Sequence, residues 1–484
     1  MKLSETYNMY IAGAWVPSES GTTFDVFSPV TGDKIGAVPD GTREDVRSAV
    51  DAAGMAWRGW AKCGPFERAA ILKNAASIVH ERREELAYIL TLEQGKPLYS
   101  EAHEEVNELI AYLEMTAADI VRVEGHILPS EHPNKRAFVY RVPQGVVGAI
   151  SPWNWPYMMP AELIIPALGA GNAVVWACAP STPITAVKLT ECLVDAGLPK
   201  GLLNLVIGEG PIVGDEIAVN TGTHAVGFIG SARTGKQVAA QAAGKDLLLE
   251  LGGNGPTIIL EDADIDKAVA ATLTGAFLCS GQSCSAAGLV LVHERVKQTF
   301  LEKLQSATES KIHLGDPFKK TTTMGPLQNE NTAAKMDQHI SDALAKGARV
   351  ITGGARRSNR PTQLYYEPTI LDGVTMNMRV SQEETFGPIV PVQTITSDED
   401  AIEMTTCSGY GLSVAVFSED LRRGLKLSEE IRAGTVVIND STNWFEYHVP
   451  FGGGAGTSSG IGRVGGRFGL ERFTTYKTVY LDTG

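Results

Sequence analysis

Across 484 residues the sequence has only six cysteines (Cys63, Cys178, Cys192, Cys279, Cys284 and Cys407), and no two stand in Cys-x-x-Cys spacing. So sparse a set excludes a disulfide framework and offers no zinc-ligand pattern, and no metal is expected. Clustered positive charge is missing too: the net charge is −14, and no lysine–arginine run occurs. Binding a polyanion requires a basic face, so nucleic acid is set aside as a partner. Long apolar runs are scarce. The longest, Leu163 to Cys178, contains Pro166, Gly169, Gly171 and Asn172, and it reads as a helix, a turn and a buried strand, not a membrane span. Met1-Lys2-Leu3-Ser4-Glu5-Thr6 lacks the apolar stretch of a secretion signal. These absences lead to the expectation of a soluble, cytoplasmic protein of a reducing compartment, with no membrane partner.

What is present has a regular order. Apolar content is 43%, and 51 glycines punctuate the chain. The length calls for two or three packed domains. Pro65 to Leu86 has helical spacing of its apolar residues, as does Pro183 to Ala196. Between such segments lie short β-branched runs at Val146–Ile150, Ala173–Trp176, Leu202–Ile207 and Ala225–Phe228. A second series follows at Thr257–Leu260, Val290–His293, Val390–Val392, Val414–Phe417 and Thr435–Ile438. Alternation of this kind predicts an α/β fold with two doubly wound parallel sheets. The seam falls near Gly252-Gly253-Asn254-Gly255-Pro256. A Gly-rich stretch from Phe451 to Gly469 precedes a β-rich tail, Arg472 to Leu481, whose strand needs a partner from another element or another subunit.

Three residues stand out chemically. Cys284 lies among small neighbours in Gly281-Gln282-Ser283-Cys284-Ser285; it is an accessible thiol nucleophile or a buried apolar cysteine. Glu250 follows three leucines and precedes a fourth, which suits either a general base with a raised pKa or a strand-end partner in a salt bridge. Asn154, within Pro152-Trp153-Asn154-Trp155-Pro156, is an oxyanion-binding amide or a turn cap. Two strand-to-helix turns are open to a dinucleotide. One is Gly208-Glu209-Gly210-Pro211-Ile212-Val213-Gly214, and the other runs from Phe228 through Gly230 and Ser231 to Thr234 and Gly235.

The order of these segments resembles the aldehyde dehydrogenase superfamily. Asn154, then Glu250, then Cys284 thirty-four residues later, then Glu383-Glu384-Thr385-Phe386-Gly387-Pro388, carry the likeness, with Pro450-Phe451-Gly452-Gly453 and Gly462-Arg463 near the end. It runs from about Tyr10 to the C-terminus. The resemblance implies a Rossmann-like cofactor domain (1–119 and 144–251), a catalytic domain (252–455) and a β arm (120–143 and 465–484) that joins subunits into a homodimer or homotetramer. It implies Cys284 as nucleophile, Asn154 in the oxyanion hole and Glu250 as the base that hydrolyses a thioester. Cofactor contacts fall by the same resemblance to Ser151, Trp153, Ala177, Pro180, Gly210, Gly214, Phe228, Gly230, Ser231, Thr234, Leu251, Gly252, Glu384 and Phe386. The aldehyde pocket falls to Trp155, Met158, Met159, Glu162, Cys279, Ser283, Ser285 and Trp444.

The chain departs from the family at several points. Ala177 and Pro180 stand where a Lys and a Glu usually grip the adenosine ribose. Loss of the Glu removes the repulsion of a 2′-phosphate, so NADP is expected to be tolerated beside NAD, with Arg233 or Lys236 within reach. Cys279, Leu163 and Ala455 replace a usual Asn, Lys and Lys. Aromatic and thioether walls suggest an aromatic or medium-chain aldehyde, while Glu162 suits a cationic or hydroxylated end. Three rivals remain: a CoA-acylating enzyme, opposed by Glu250; a cysteine hydrolase, which lacks a nominated His; and a catalytically retired family member, suggested by Ala177 and Pro180.

Overall fold

The computed structural model describes residues 4–484; Met1, Lys2 and Leu3, and with them the first part of the leader reading, lie outside the described residues. Two large sheets dominate. The first runs in the order Gly460–Ile461, Asp246–Leu251, Ala225–Gly230, Val146–Ile150, Ala173–Ala177, Leu203–Val206, Met9–Ile11, Ala14–Val16. Its five central strands are parallel, and the pairings of its edge strands are antiparallel. Ala173–Ala177 is buried at every residue, as befits a parallel strand covered by helices on both faces. Those helices are the crossovers Met158–Gly169, Pro183–Asp195, Gly210–Val219 and Ala232–Gln241.

The second sheet runs Arg349–Thr352, Thr369–Asp372, Ile389–Ile395, Leu289–His293, Pro256–Ile259, Ser413–Phe417, Thr435–Ile438. All its pairs but the Arg349–Thr352 edge are parallel. The seam between the sheets is the turn from Leu251 to Pro256. Within it Gly255 has φ +40°, and a Cβ there would stand 2.0 Å from the Ala286 carbonyl oxygen. Glycine is what allows this turn to press against the loop that carries Cys284.

The C-terminal strand Thr474–Asp482 finds its partner within the chain. It pairs antiparallel with Lys135–Pro143, which also pairs with His126–Leu128. Tyr476, Tyr480, Leu481 and Ile127 remain exposed on this small sheet.

Two features differ from the sequence expectation. The predicted helix Pro65 to Leu86 is broken: one helix is Pro65–Glu81, Arg82 leaves helical geometry, and the next is Arg83–Gln94. Glu84 and Glu85 open the second helix, where its N-terminal dipole favours acidic side chains. Gly460–Ile461, inside the Gly-rich stretch, adds an edge to the first sheet. Among the described residues no helix is long and apolar enough to cross a membrane.

Candidate active site

In the first sheet the chain leaves Val146–Ile150 toward Ala173–Ala177 and Leu203–Val206, then returns to place Ala225–Gly230 on the other side. Ligands of doubly wound sheets bind at such a reversal, outside the carboxyl ends of the strands. Those two ends release the segments Ser151 to Asn154 and Gly230-Ser231. A cleft of ≈ 260 Å³ opens there, walled by Trp153, Asn154, Gly230, Ser231, Glu384 and Phe386, with Glu250 and Cys284 at its inner end.

Cys284 owes its place to an abrupt stop in a helix. Ile265–Phe277 ends, and Cys279, Ser280 and Gly281 all take positive φ (51°, 56° and 72°). Two consecutive non-glycine residues in this region are strained, which marks a backbone held by its surroundings. The turn sends Gln282 back to Asn154, whose Nδ2 donates to the Gln282 carbonyl at 3.0 Å. Gln282 itself is fixed at its side chain, which donates to the Cys279 carbonyl at 2.8 Å and accepts the Gln328 N–H at 2.9 Å. On the far side Ser283 and Ser285 both donate to Asn443 Oδ1, at 2.9 and 2.7 Å. Cys284 is thus clamped through both neighbours.

Glu250 lies near the end of strand Asp246–Leu251 and is 2% exposed. Its Oε1 has no hydrogen-bond partner among the described residues. Burial pushes its carboxyl up to about 8, against the pull of the Cys284 thiol beside it. The Cys284 thiol is also pushed up, by burial first and by the nearby Glu250 second. Glu384 accepts the Gly253 N–H at 3.2 Å, and a Cβ on Gly252 would lie 2.4 Å from its Oε1. Burial raises Glu384 to about 7, offset in part by Lys335. Phe386, with φ +62°, meets Trp153 edge-on at 5.5 Å between ring centres.

A second cavity of ≈ 230 Å³ lies on the other side of Cys284, and Cys284 and Met159 border both. Trp155, Met158, Glu162, Ser283 and Ser285 line it, as the sequence suggested. Two expected residues do not. Trp444 is 56% exposed and its indole N–H turns outward to Glu446 at 3.3 Å; its neighbour Phe445 faces the cavity instead. Cys279 is buried behind Asn154, its thiol 3.6 Å from the Asn154 carbonyl oxygen. It supports the turn without lining the cavity.

The remaining expected cofactor residues, Gly252 apart, do not line the cleft. Ser151 Oγ accepts the Trp176 indole N–H at 2.8 Å, and Ser151 N–H donates to the Ala177 carbonyl at 3.1 Å. Pro180 follows the same strand end, and Gly210 and Gly214 lie in the first turns of Gly210–Val219. Phe228 and Leu251 are packed in the core beneath, and Thr234 donates its N–H to the Ser231 cap at 3.2 Å. Sequence reasoning missed Asn331, Thr332 and Lys335, which line the cleft from helix Glu330–Ala345, and Glu101, Glu104, Glu105 and Glu108, which border the second cavity. Only the i, i+1, i+4 spacing of the first three hinted at a shared face. The ion pair of Lys96 and Glu105 was missed too; its atoms are 2.6 Å apart and both side chains are at most 1% exposed.

Comparison with known proteins places these features in context. The model of the aldehyde dehydrogenase family matches residues 15–479. The chain is 38% identical to the succinate-semialdehyde dehydrogenase [NADP(+)] GabD of Escherichia coli, over 99% of each chain. It is 36% identical to the betaine aldehyde dehydrogenase of Bacillus subtilis, over 98% of this chain and 97% of that one. The structure of betaine aldehyde dehydrogenase from Staphylococcus aureus in complex with NAD+ superposes with a TM-score of 0.95 at 34% identity, over 100% of this chain and 96% of that one.

Proposed function

The chain belongs to the aldehyde dehydrogenase family, and on that premise we propose that it oxidises an aldehyde to a carboxylic acid with NAD+ or NADP+ through a thioester on Cys284. The observation that carries this reading is the position of Cys284 at the junction of two cavities, with Glu250 and Asn154 at the same point.

The cleft suits a dinucleotide. The Thr234 amide is taken by the Ser231 cap, but those of Ala232 and Arg233, at the start of helix Ala232–Gln241, lack intrahelical partners and offer donors to a pyrophosphate. Glu384 is placed to accept from ribose hydroxyls, and Trp153 and Phe386 to pack against the nicotinamide ring. Bound there, the oxidised dinucleotide supplies the two-electron acceptor.

The chain's own groups supply the rest. Cys284 Sγ adds to the aldehyde carbon, and its proton passes to Glu250. Asn154 commits one N–H to Gln282, which leaves its second for the oxyanion. The Cys284 backbone N–H, with no other acceptor among the described residues, joins it. Once the thioester has formed, Glu250 gives the thiol's proton up to solvent and takes another from water; the hydroxide adds to the acyl carbon, and the carbon–sulfur bond breaks as that proton returns to sulfur. The acid leaves and the thiol is restored. Retention of a buried base beside Cys284 favours water over CoA as acceptor.

Three finer readings accompany this. Trp155, Met158, Met159, Phe445 and Phe451 wall the second cavity and suit an aromatic or medium-chain body on the aldehyde. Neither Ala177 nor Pro180 carries a carboxylate, and Arg233 and Lys236 are exposed on helix Ala232–Gln241, which supports acceptance of NADP+; a KM at least about tenfold worse for NADP+ than NAD+ sinks that part. The exposed Tyr476, Tyr480 and Leu481 support a homodimer or homotetramer joined through the small sheet, which light scattering would test.

The activity is tested by mixing the protein with hexanal or benzaldehyde and each dinucleotide, and following reduced nicotinamide by absorbance. Turnover is expected, and Cys284→Ala loses it while still binding dinucleotide. Turnover that survives in Cys284→Ala, or none with any pair, contradicts the proposal.

A further inference from the structure

The cavity beyond Cys284 has an unusual charge balance. Five glutamates (Glu101, Glu104, Glu105, Glu108 and Glu162) border it, with Lys96 the only basic residue among the described residues that line it. Lys96 is not free. Its Nζ is paired with Glu105 Oε2 at 2.6 Å and rests 4.2 Å over the Trp155 ring.

The glutamates are not equivalent. Glu105 is fully used: besides Lys96, its Oε1 accepts the N–H groups of Tyr157 and Met158 at 2.8 and 3.2 Å. Glu101 accepts the Cys279 N–H at 3.1 Å. Glu104 is exposed and takes a long contact from Asn107 at 3.4 Å. Glu162 is different. It is the only charged residue of the apolar helix Met158–Gly169, it is 1% exposed, and its Oε1 has no partner among the described residues. A buried carboxyl of this kind is costly unless something pairs with it. It borders the cavity beside Met158 and Met159, one helical turn before it, and Glu108 borders the same space.

We infer that the aldehyde carries a cationic ammonium group, held by Glu162 and Glu108 in the cavity beyond Cys284. This rests on the reading of Cys284 as the nucleophile. The ammonium pairs with the two carboxyls that no protein cation satisfies, and the aromatic faces of Phe445 and Phe451 suit its methyl or methylene surface. In its absence burial and carboxyl repulsion push Glu108 up to about 7 and Glu162 well above the usual carboxylate range. A cation between them favours their charged forms. A substrate with a carboxylate tail meets the reverse: repulsion, and no unpaired cation to receive it.

The test compares trimethylammonioacetaldehyde with its neutral isostere 3,3-dimethylbutanal and with anionic succinate semialdehyde, each corrected for hydration of the carbonyl. The wild-type enzyme is expected to favour the cation over the isostere by about tenfold or more in kcat/KM, with the anion poorest. Glu162→Gln shrinks the cation-to-isostere ratio by about tenfold, and Glu108→Gln shrinks it less. Circular dichroism and dinucleotide binding check that each variant folds. Equal use of cation and isostere by the wild type overturns the inference while leaving the oxidation through Cys284 intact. So does a ratio that Glu162→Gln leaves unchanged. Silence with all three aldehydes, and with hexanal, removes the Cys284 reading and this inference together.

Discussion

Asn154 donates its side-chain Nδ2 to the backbone carbonyl of Gln282 at 3.0 Å, across 128 positions of sequence. The bond ties the turn at the end of the first sheet's Val146–Ile150 strand to the loop that carries Cys284. One amide N–H thereby holds the loop, and the second is left free of it. Asn154→Ala removes both, and kcat is expected to fall by about 10²–10³. Steady-state kinetics at saturating substrate checks this, and an unaltered kcat rules out the oxyanion role.

The hydrolytic step should depend on pH through Glu250. Burial pushes its carboxyl up to about 8, so below that value the proton-bearing form dominates and cannot take a proton from water. Deacylation is expected to rise as pH increases toward 8 and level off above it, losing about tenfold per pH unit on the acid side. Single-turnover decay of the acyl-enzyme between about pH 6 and 9 reads this directly. A flat profile assigns the base elsewhere.

Gly252 leaves room for Glu384. A methyl group there would stand 2.4 Å from Glu384 Oε1, so Gly252→Ala must displace the carboxyl from the cleft. The dinucleotide KM should rise by about tenfold or more, the equivalent of a lost charge-assisted hydrogen bond. Fluorescence quenching on dinucleotide binding gives the affinity independently, and an unchanged affinity removes Glu384 from the cofactor site.

Two adjacent aromatic residues should behave oppositely. Phe445 borders the cavity beyond Cys284, whereas Trp444 is 56% exposed. Phe445→Ala is expected to raise the aldehyde KM by about tenfold, in keeping with an apolar wall removed, and Trp444→Ala to change it by less than about threefold. The reverse order in aldehyde kinetics contradicts the geometry.

Several features were readable because their local chemistry is rigid. Pro152 and Pro156 fix the turn around Asn154, and the uninterrupted leucines before Glu250 announce a buried strand. The alternation of strands and helices foretold both sheets. Which face of a turn looks inward is not local information, so the sequence does not tell that Phe445 borders the cavity while Trp444 is exposed, or that Cys279 backs the cavity without lining it. Glu105 and Glu108 sit in a charge-rich segment and Lys96 is a lone lysine between Gly95 and Pro97, and pattern alone does not separate a buried ion pair or a cavity wall from a solvated face. The break at Arg82 and the short edge strand Gly460–Ile461 depend on packing with distant segments, and neither leaves a periodic trace.

If the aldehyde carbon becomes bonded to Cys284 and Glu250 releases it, loss of Glu250 leaves the acyl group on the thiol. Intact-protein mass spectrometry of Glu250→Gln, incubated with aldehyde and dinucleotide, tests this most directly. A gain equal to the aldehyde less two hydrogens is expected, located on the peptide that contains Cys284 and absent in Cys284→Ala. An unmodified protein that still forms reduced nicotinamide steadily, or an acyl group on another residue, would contradict it.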